Sequence, residues 1–325
     1  MSVTENQLVK LSAHISFLKM PTNIGLIKVQ SKDGKEDIYI VDSGNDDTCG
    51  QRIIDFINGN FPGARLKAVL NTHAHADHCG GNVVLAEKTG CEIWASKESA
   101  ALMEYPELET KLIWGGTPIR DIRSKFLLAR PCRVDRIFHG GDKIKIPLFE
   151  SENKKSDFAS NSLTLEIIPL PGHYLGQTGF LFTDTDGKKA FFGGDSFSGR
   201  SAIKKFWIQY LLNETKTKET LQNLEKIEAD FFIPGHGEMV KDIEGIAELN
   251  LIAILETEDM ILDELKTPKT LEEILKAVAD RNSIPLKISQ LCLIGSTLRS
   301  YLSGLYENGR ITYEIQGNKM FWKKA

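Results

Sequence analysis

Leu66-Lys67-Ala68-Val69-Leu70-Asn71-Thr72-His73-Ala74-His75-Ala76-Asp77-His78 runs a short apolar stretch into six residues that carry four potential metal ligands. The apolar run reads as a strand, so the histidine cluster sits in the loop at its carboxyl end, where α/β proteins place chemistry. Residues two apart in an extended backbone share a face, which lets His73 and His75 converge on one ion. Asp77 and His78 then point toward a second. Neutral imidazole and carboxylate suit a borderline divalent ion, zinc first, with iron or manganese as the other options. Ala74, Ala76, Gly80 and Gly81 are small enough to allow a close approach.

Other strands end in the same way. Upstream, Ile24–Val29 and Ile38–Val41 flank a turn at Lys32-Asp33-Gly34-Lys35, and the second run closes on Asp42-Ser43-Gly44. A helix through Ile53, Ile54, Phe56 and Ile57 follows. Downstream, Leu163, Leu165 and Ile167 alternate with polar residues and lead to Pro171-Gly172-His173. Ala190-Phe191-Phe192 ends at Gly193-Gly194-Asp195, and Phe231-Phe232-Ile233 ends at Pro234-Gly235-His236. Three strands that each terminate in Gly followed by His or Asp can bring distant side chains to one rim of a sheet.

On these residues the sequence resembles the metallo-β-lactamase superfamily, over roughly residues 10 to 240. His73-Ala74-His75-Ala76-Asp77-His78 matches its HxHxDH motif; Asp42, His173, Asp195 and His236 match the first, third, fourth and fifth motifs. The resemblance implies an α/β (α+β) fold, a four-layer αββα sandwich. It implies one ion on His73, His75 and His173, another on Asp77, His78 and His236, Asp195 bridging, and Asp42 bracing the loop. Flavodiiron members carry Glu where this chain has His75. True β-lactamases replace Asp195 with Cys or lack the bridging Asp. The glyoxalase II-like and nuclease-like branches keep all seven ligands, as here. The third motif departs from the common Gly-His-Thr-x-Gly-Ser, since this chain reads Gly172-His173-Tyr174-Leu175-Gly176-Gln177.

Composition narrows the rest. With 325 residues, 41% hydrophobic and 26% charged, the chain can bury a large core without cross-links. The five cysteines are scattered and form no CxxC pair, as expected of reduced thiols in a cytoplasmic protein. Met1–Asn6 lacks the start of a secretory signal, and no apolar run approaches the ~20 residues of a membrane span. No phosphate-binding or dinucleotide-binding glycine motif is present, so nucleotide chemistry has no support. His14 and His139 match no motif and are read as ordinary residues. Cys79, beside His78, is read as a packed thiol.

Past the last motif the spacing predicts a long helix over about 242–265, a capped helix from Thr270, another ending at Asn308-Gly309, and a closing hairpin. The expected organisation is a catalytic domain over 1–245 with a cap at about 100–136, a linking helix over 246–265, and a winged-helix-like domain over 266–325. The tail carries ten Lys/Arg and five Asp/Glu, a net +5 that leaves −9 for the remainder. It is modest for nucleic acid, and packing or substrate gating is the preferred reading. Arg120, Arg123, Lys125, Arg130, Arg133 and Arg136 read as a solvated helix face or, alternatively, as a cap that grips an anion.

The expected activity is a dinuclear metal-dependent hydrolase in which a bridging hydroxide, oriented by Asp77, attacks a thioester, ester or lactone. A metal-dependent phosphodiesterase or endoribonuclease, and a non-catalytic nucleic-acid-binding regulator, are the alternatives. The expected partner is a small molecule, with an anionic one as the option the arginines raise, with no membrane and no assignment of oligomeric state.

Overall fold

A computed structural model describes residues 7–124, 126–148 and 162–325. The reading of Met1–Asn6 and of Lys125 falls outside them. The first sheet takes its strands in chain order: β1 (Leu8–Lys10), β2 (Ile15–Leu18), β3 (Ile24–Gln30), β4 (Glu36–Val41), β5 (Arg65–Leu70), β6 (Glu92–Ser96) and β7 (Arg136–Phe138). The second has the order β12 (Phe231–Pro234), β11 (Lys189–Gly194), β10 (Thr178–Thr183), β9 (Ser162–Pro169) and β8 (Lys143–Pro147).

Side-chain alternation explains the layers. In β3, Ile24 and Leu26 pack outward with Ile53 and Phe56 of helix α1 (Asp47–Asn60), while Ile27 and Val29 face the other sheet. In β11, Ala190 and Phe192 face the first sheet and Phe191 turns the other way. The sheets therefore enclose one apolar layer, from Phe17, Ile27 and Leu70 to Leu165, Phe180 and Phe192. The outer face of the first sheet is covered by α1 and by helix α3 (Asn82–Thr89), which follows the short turn α2 (Ala76–Cys79). This is the expected four-layer αββα sandwich.

Strands β4 and β5 run parallel, as do β11 and β12, and β9 and β11 both run antiparallel to β10. The carboxyl ends of β4, β5, β9, β11 and β12 thus open on one rim, and the motif residues follow them. Asn23 ties that rim together, its side-chain amide donating to the carbonyls of Pro234 and Gly237, both at 2.9 Å.

Between β6 and β7 lie α4 (Lys97–Glu104), α5 (Glu107–Trp114) and a run of turns. The stretch expected as a cap therefore ends inside the sheet, because Arg136 opens β7. Its arginines form no helix face. Arg130 pairs with Asp47 and Glu87, Arg133 with Asp135, and Arg136 stacks on the Trp94 ring.

The second sheet is covered by α7 (Glu214–Leu224) and α8 (Glu244–Glu264), and α6 (Arg200–Lys205) packs against α8. After α8 come α9 (Leu271–Arg281), α10 (Ile288–Glu307) and the hairpin β13 (Ile311–Gln316) and β14 (Lys319–Lys324). Thr270 and Glu273 form the expected capping box. The order helix, helix, hairpin is present, but its core is not separate. Val278, Leu298, Tyr301, Leu305 and Ile311 share one cluster with Phe191, Leu221, Phe232 and Ile254. No helix among the described residues is long and apolar enough to cross a membrane.

Candidate metal centre

The rim gathers all seven residues expected as ligands. Ring nitrogens and carboxylate oxygens of His73, His75, His173 and Asp195 form one group within 4.8 Å, and those of Asp77, His78 and His236 form a second. Asp195 stands between them. Its Oδ1 is 3.2 Å from His78 Nε2, and its Oδ2 is 3.6 Å from His173 Nε2 and 3.5 Å from His236 Nε2. His75 Nδ1 lies 2.9 Å from His73 Nε2 and 3.1 Å from His173 Nε2, so three imidazole lone pairs converge.

Four of the rings are turned by an oxygen at the far nitrogen. His73 Nδ1 meets the Thr72 hydroxyl at 3.0 Å, and His78 Nδ1 meets the Asp42 carboxylate at 2.8 Å. His173 Nδ1 meets the Tyr210 carbonyl at 2.9 Å, and His236 Nδ1 meets the Pro21 carbonyl at 2.8 Å. A ring that donates outward keeps its inner nitrogen free as a ligand, the arrangement metal-binding histidines adopt. Asp42 reaches its position through a left-handed backbone, φ 62°, and also accepts from the Thr72 amide at 2.8 Å. That agrees with the bracing role expected of it.

The electrostatics are those of a cation site. Burial holds His73 well below the ordinary imidazole range, brings His75 down to about 3, and lowers His173. These three are neutral donors. The Asp195 carboxylate pushes His236 up to about 12. At His78 burial opposes the charge, but Asp195, Asp42 and Asp77 outweigh it and push it up to about 10. Positive charge on His78 and His236 beside Asp77 and Asp195 keeps both carboxylates ionised. Buried His78 Nε2 and Asp195 Oδ1 have no hydrogen-bond partner and face each other across the gap. Orphaned donor atoms, neutral imidazoles and paired carboxylates fit divalent ions.

Two glycines make the assembly possible. A Cβ on Gly235 would stand 2.3 Å from Asp195 Oδ1 and 2.6 Å from His78 Cε1. Gly172 has φ +134°, and a Cβ there would meet the Thr217 amide nitrogen at 2.4 Å. Gly172→Ala is expected to cost about 1–3 kcal/mol from backbone strain alone. Urea denaturation of the purified variant measures it, and an unchanged midpoint would remove the argument.

The other histidines are elsewhere. His14 Nδ1 pairs with Asp184 at 2.7 Å, and His139 is exposed. The Cys79 thiol donates to the Ala74 carbonyl at 3.3 Å, and burial raises it well above the ordinary thiol range, which leaves it inert. Glu109 of α5 escapes the sequence reading. It is 5% exposed, accepts the Tyr174 hydroxyl, and sets Oε1 3.5 Å from His75 Nε2. Burial pushes its carboxyl up to about 8. No periodicity or motif marks it. Tyr174, by contrast, is a departure within its own motif, and its ring packs 4.1 Å from that of His75.

Residues 19–236 match the metallo-beta-lactamase superfamily. The chain belongs to that superfamily. Among curated relatives it is 29% identical over 208 residues to a hydroxyacylglutathione hydrolase of Haemophilus influenzae, covering 63% of this chain and 82% of that protein. A hydroxyacylglutathione hydrolase of Hyphomonas neptunium is 28% identical over 131 residues, 40% of this chain and 34% of that one. The expected class, a hydrolase of the superfamily on its glyoxalase II-like side, is borne out. Among solved structures, a beta-lactamase domain protein from Burkholderia ambifaria superposes with a TM-score of 0.73 at 16% identity, covering 100% of this chain and 97% of that one. A metallo-beta-lactamase family protein from Thermus thermophilus gives 0.69 at 15% identity, covering 98% and 97%. These two likenesses concern the fold, and they run through the tail.

Proposed function

We propose that the chain is a dinuclear metal-dependent hydrolase of small thioesters, with esters and lactones as related substrates. The observation that carries this reading is the shared carboxylate, since Asp195 lies within 3.6 Å of ring nitrogens from both ligand groups. His73, His75 and His173 would hold one divalent ion, Asp77, His78 and His236 the other, and Asp195 both. The donor set of imidazole and carboxylate favours zinc. Two such ions supply Lewis acidity and acidify water toward neutral pH.

The chain's own groups do the rest. Asp77 is the most open of the proposed ligands, with 43% of its side chain exposed, and it can hold and orient the proton of the attacking water. His75, backed by Glu109 and the Tyr174 ring, keeps its Nδ1 lone pair aimed inward. Water adds to the acyl carbon and the acyl–sulfur bond breaks, leaving a carboxylic acid and a thiol. The name carried by the curated relatives supports an acyl-glutathione as the first substrate to try.

The tail also supports a small-molecule reading over nucleic acid. A groove-reading helix presents several cations, whereas α10 carries one, Arg299, and buries Ile294, Leu298, Tyr301, Leu302 and Leu305. The test is a panel of a 2-hydroxyacyl thioester of glutathione, a lactone, bis-p-nitrophenyl phosphate and single-stranded RNA, each offered to metal-loaded protein. Acyl turnover without phosphodiester cleavage is expected. Cleavage of RNA with no acyl turnover would reject the proposal.

A further inference from the structure

Helix α10 carries a polar stripe in which Thr297 and Tyr301 are buried and Ser296, Ser300 and Gly304 are half-buried. Ser296, Thr297, Ser300, Tyr301 and Gly304 recur at helical spacing and lie against the segment 209–215. Thr297 Oγ1 accepts from the Leu211 amide at 3.4 Å, and Ser300 Oγ accepts from the Glu214 amide at 2.9 Å. Ser296 faces the Tyr210 hydroxyl. At Gly304 a Cβ would stand 2.3 Å from Glu214 Oε2. A helix that only covers a core would bury Leu or Ile there, because hydroxyls taken out of water are unfavourable without a partner. Here they receive two backbone donors.

That segment holds the metal centre from behind. The Tyr210 carbonyl accepts from His173 Nδ1 at 2.9 Å, the Leu212 amide donates to the His173 carbonyl at 3.0 Å, and the Asn213 amide donates to the Gly172 carbonyl at 2.9 Å. Tyr301 lines a small cavity together with His173 and Asp195. The amino-terminal part of the same helix reaches the other side of the group, where Cys292 packs with Ile113, Ile122 and Leu127. Ile113 lies on α5, the helix that sets Glu109 against His75.

We infer that α10 is a positioning element of the metal centre, and that Thr297 and Ser300 fix the orientation of His173 through the 210–214 backbone and so set the affinity of the ion held by His73, His75 and His173. The inference rests on the metal reading above. The tail is then part of the catalytic machinery's support.

The test is the dissociation constant for Zn²⁺, taken by chelator competition on the full-length protein, with the melting temperature of the metal-free protein recorded beside it. Thr297→Val with Ser300→Ala nearly keeps the volume and removes both hydroxyls. It is expected to weaken that ion about tenfold, the scale of outer-layer ligand contacts. Thr297→Ser, which keeps its hydroxyl, should stay within about twofold of the parent, well inside that scale. Leu305→Val, on the same helix within the apolar cluster, should lower the melting temperature while leaving Zn²⁺ affinity unchanged. If the double variant does not fold, Ser300→Ala alone is expected to weaken binding about threefold. The inference is overturned if the hydroxyl variants lose thermal stability but bind Zn²⁺ as the parent does, or if Leu305→Val weakens the ion equally. A parent that takes up no divalent ion overturns the metal reading itself, which is a separate result.

Discussion

Asp195→Ala is expected to empty the centre of both ions and to lower acyl hydrolysis by well over about a hundredfold, beyond what loss of an outer-layer contact costs. The reason is geometric. Its oxygens lie within 3.6 Å of His173 in one group and of His78 and His236 in the other, so its loss reaches both groups at once. His75→Ala makes the informative companion, because His75 belongs to one group only. That variant should keep one ion and lose most activity. Neither residue lies in the apolar clusters, so thermal unfolding of the metal-free protein should move little. Elemental analysis and turnover on the same preparation decide the matter. Two ions retained by Asp195→Ala, with near-parent activity, would falsify the shared-carboxylate assignment.

Tyr301→Ala should remove about 3–5 kcal/mol of stability, a large part of the roughly 5–15 kcal/mol that holds a typical domain together. The ring is 1% exposed and sits in the cluster that joins the tail to Phe191, Leu221 and Ile254. Its hydroxyl meets Thr257 of α8. Tyr301→Phe loses only that contact and should cost about 1 kcal/mol. Denaturant titration at fixed pH reads both numbers. A loss below about 1 kcal/mol for Tyr301→Ala would mean that the cavity it leaves collapses freely and that the tail is docked loosely.

The two predictions draw on different information. Asp195 is legible because its chemistry is local: a strand signal, two small residues and an acid, in step with the same pattern at His173 and His236. Alternation within β9 likewise places its apolar face. Glu109 is not legible. It sits among ordinary helix formers on α5, and only the packing of that helix over the rim turns a surface-type residue into a buried contact of His75. The pairing of Arg130 with Asp47 and Glu87 is equally illegible, since a run of like charge does not reveal which carboxylates it will meet.

What the sequence determined by itself was therefore the candidate ligands and their strand-end placement, which depend on short-range periodicity and residue chemistry, while the layer order came from the family resemblance that those motifs carry. What only the tertiary structure decided was the surrounding support: Glu109 behind His75, the Tyr210 carbonyl behind His173, and α10 pressing its hydroxyls on the 210–214 backbone. The hydrogen bonds among those contacts join residues 37 to 86 positions apart, and no local pattern encodes them. They follow from which faces come together when the apolar surface of the tail is buried on the second sheet.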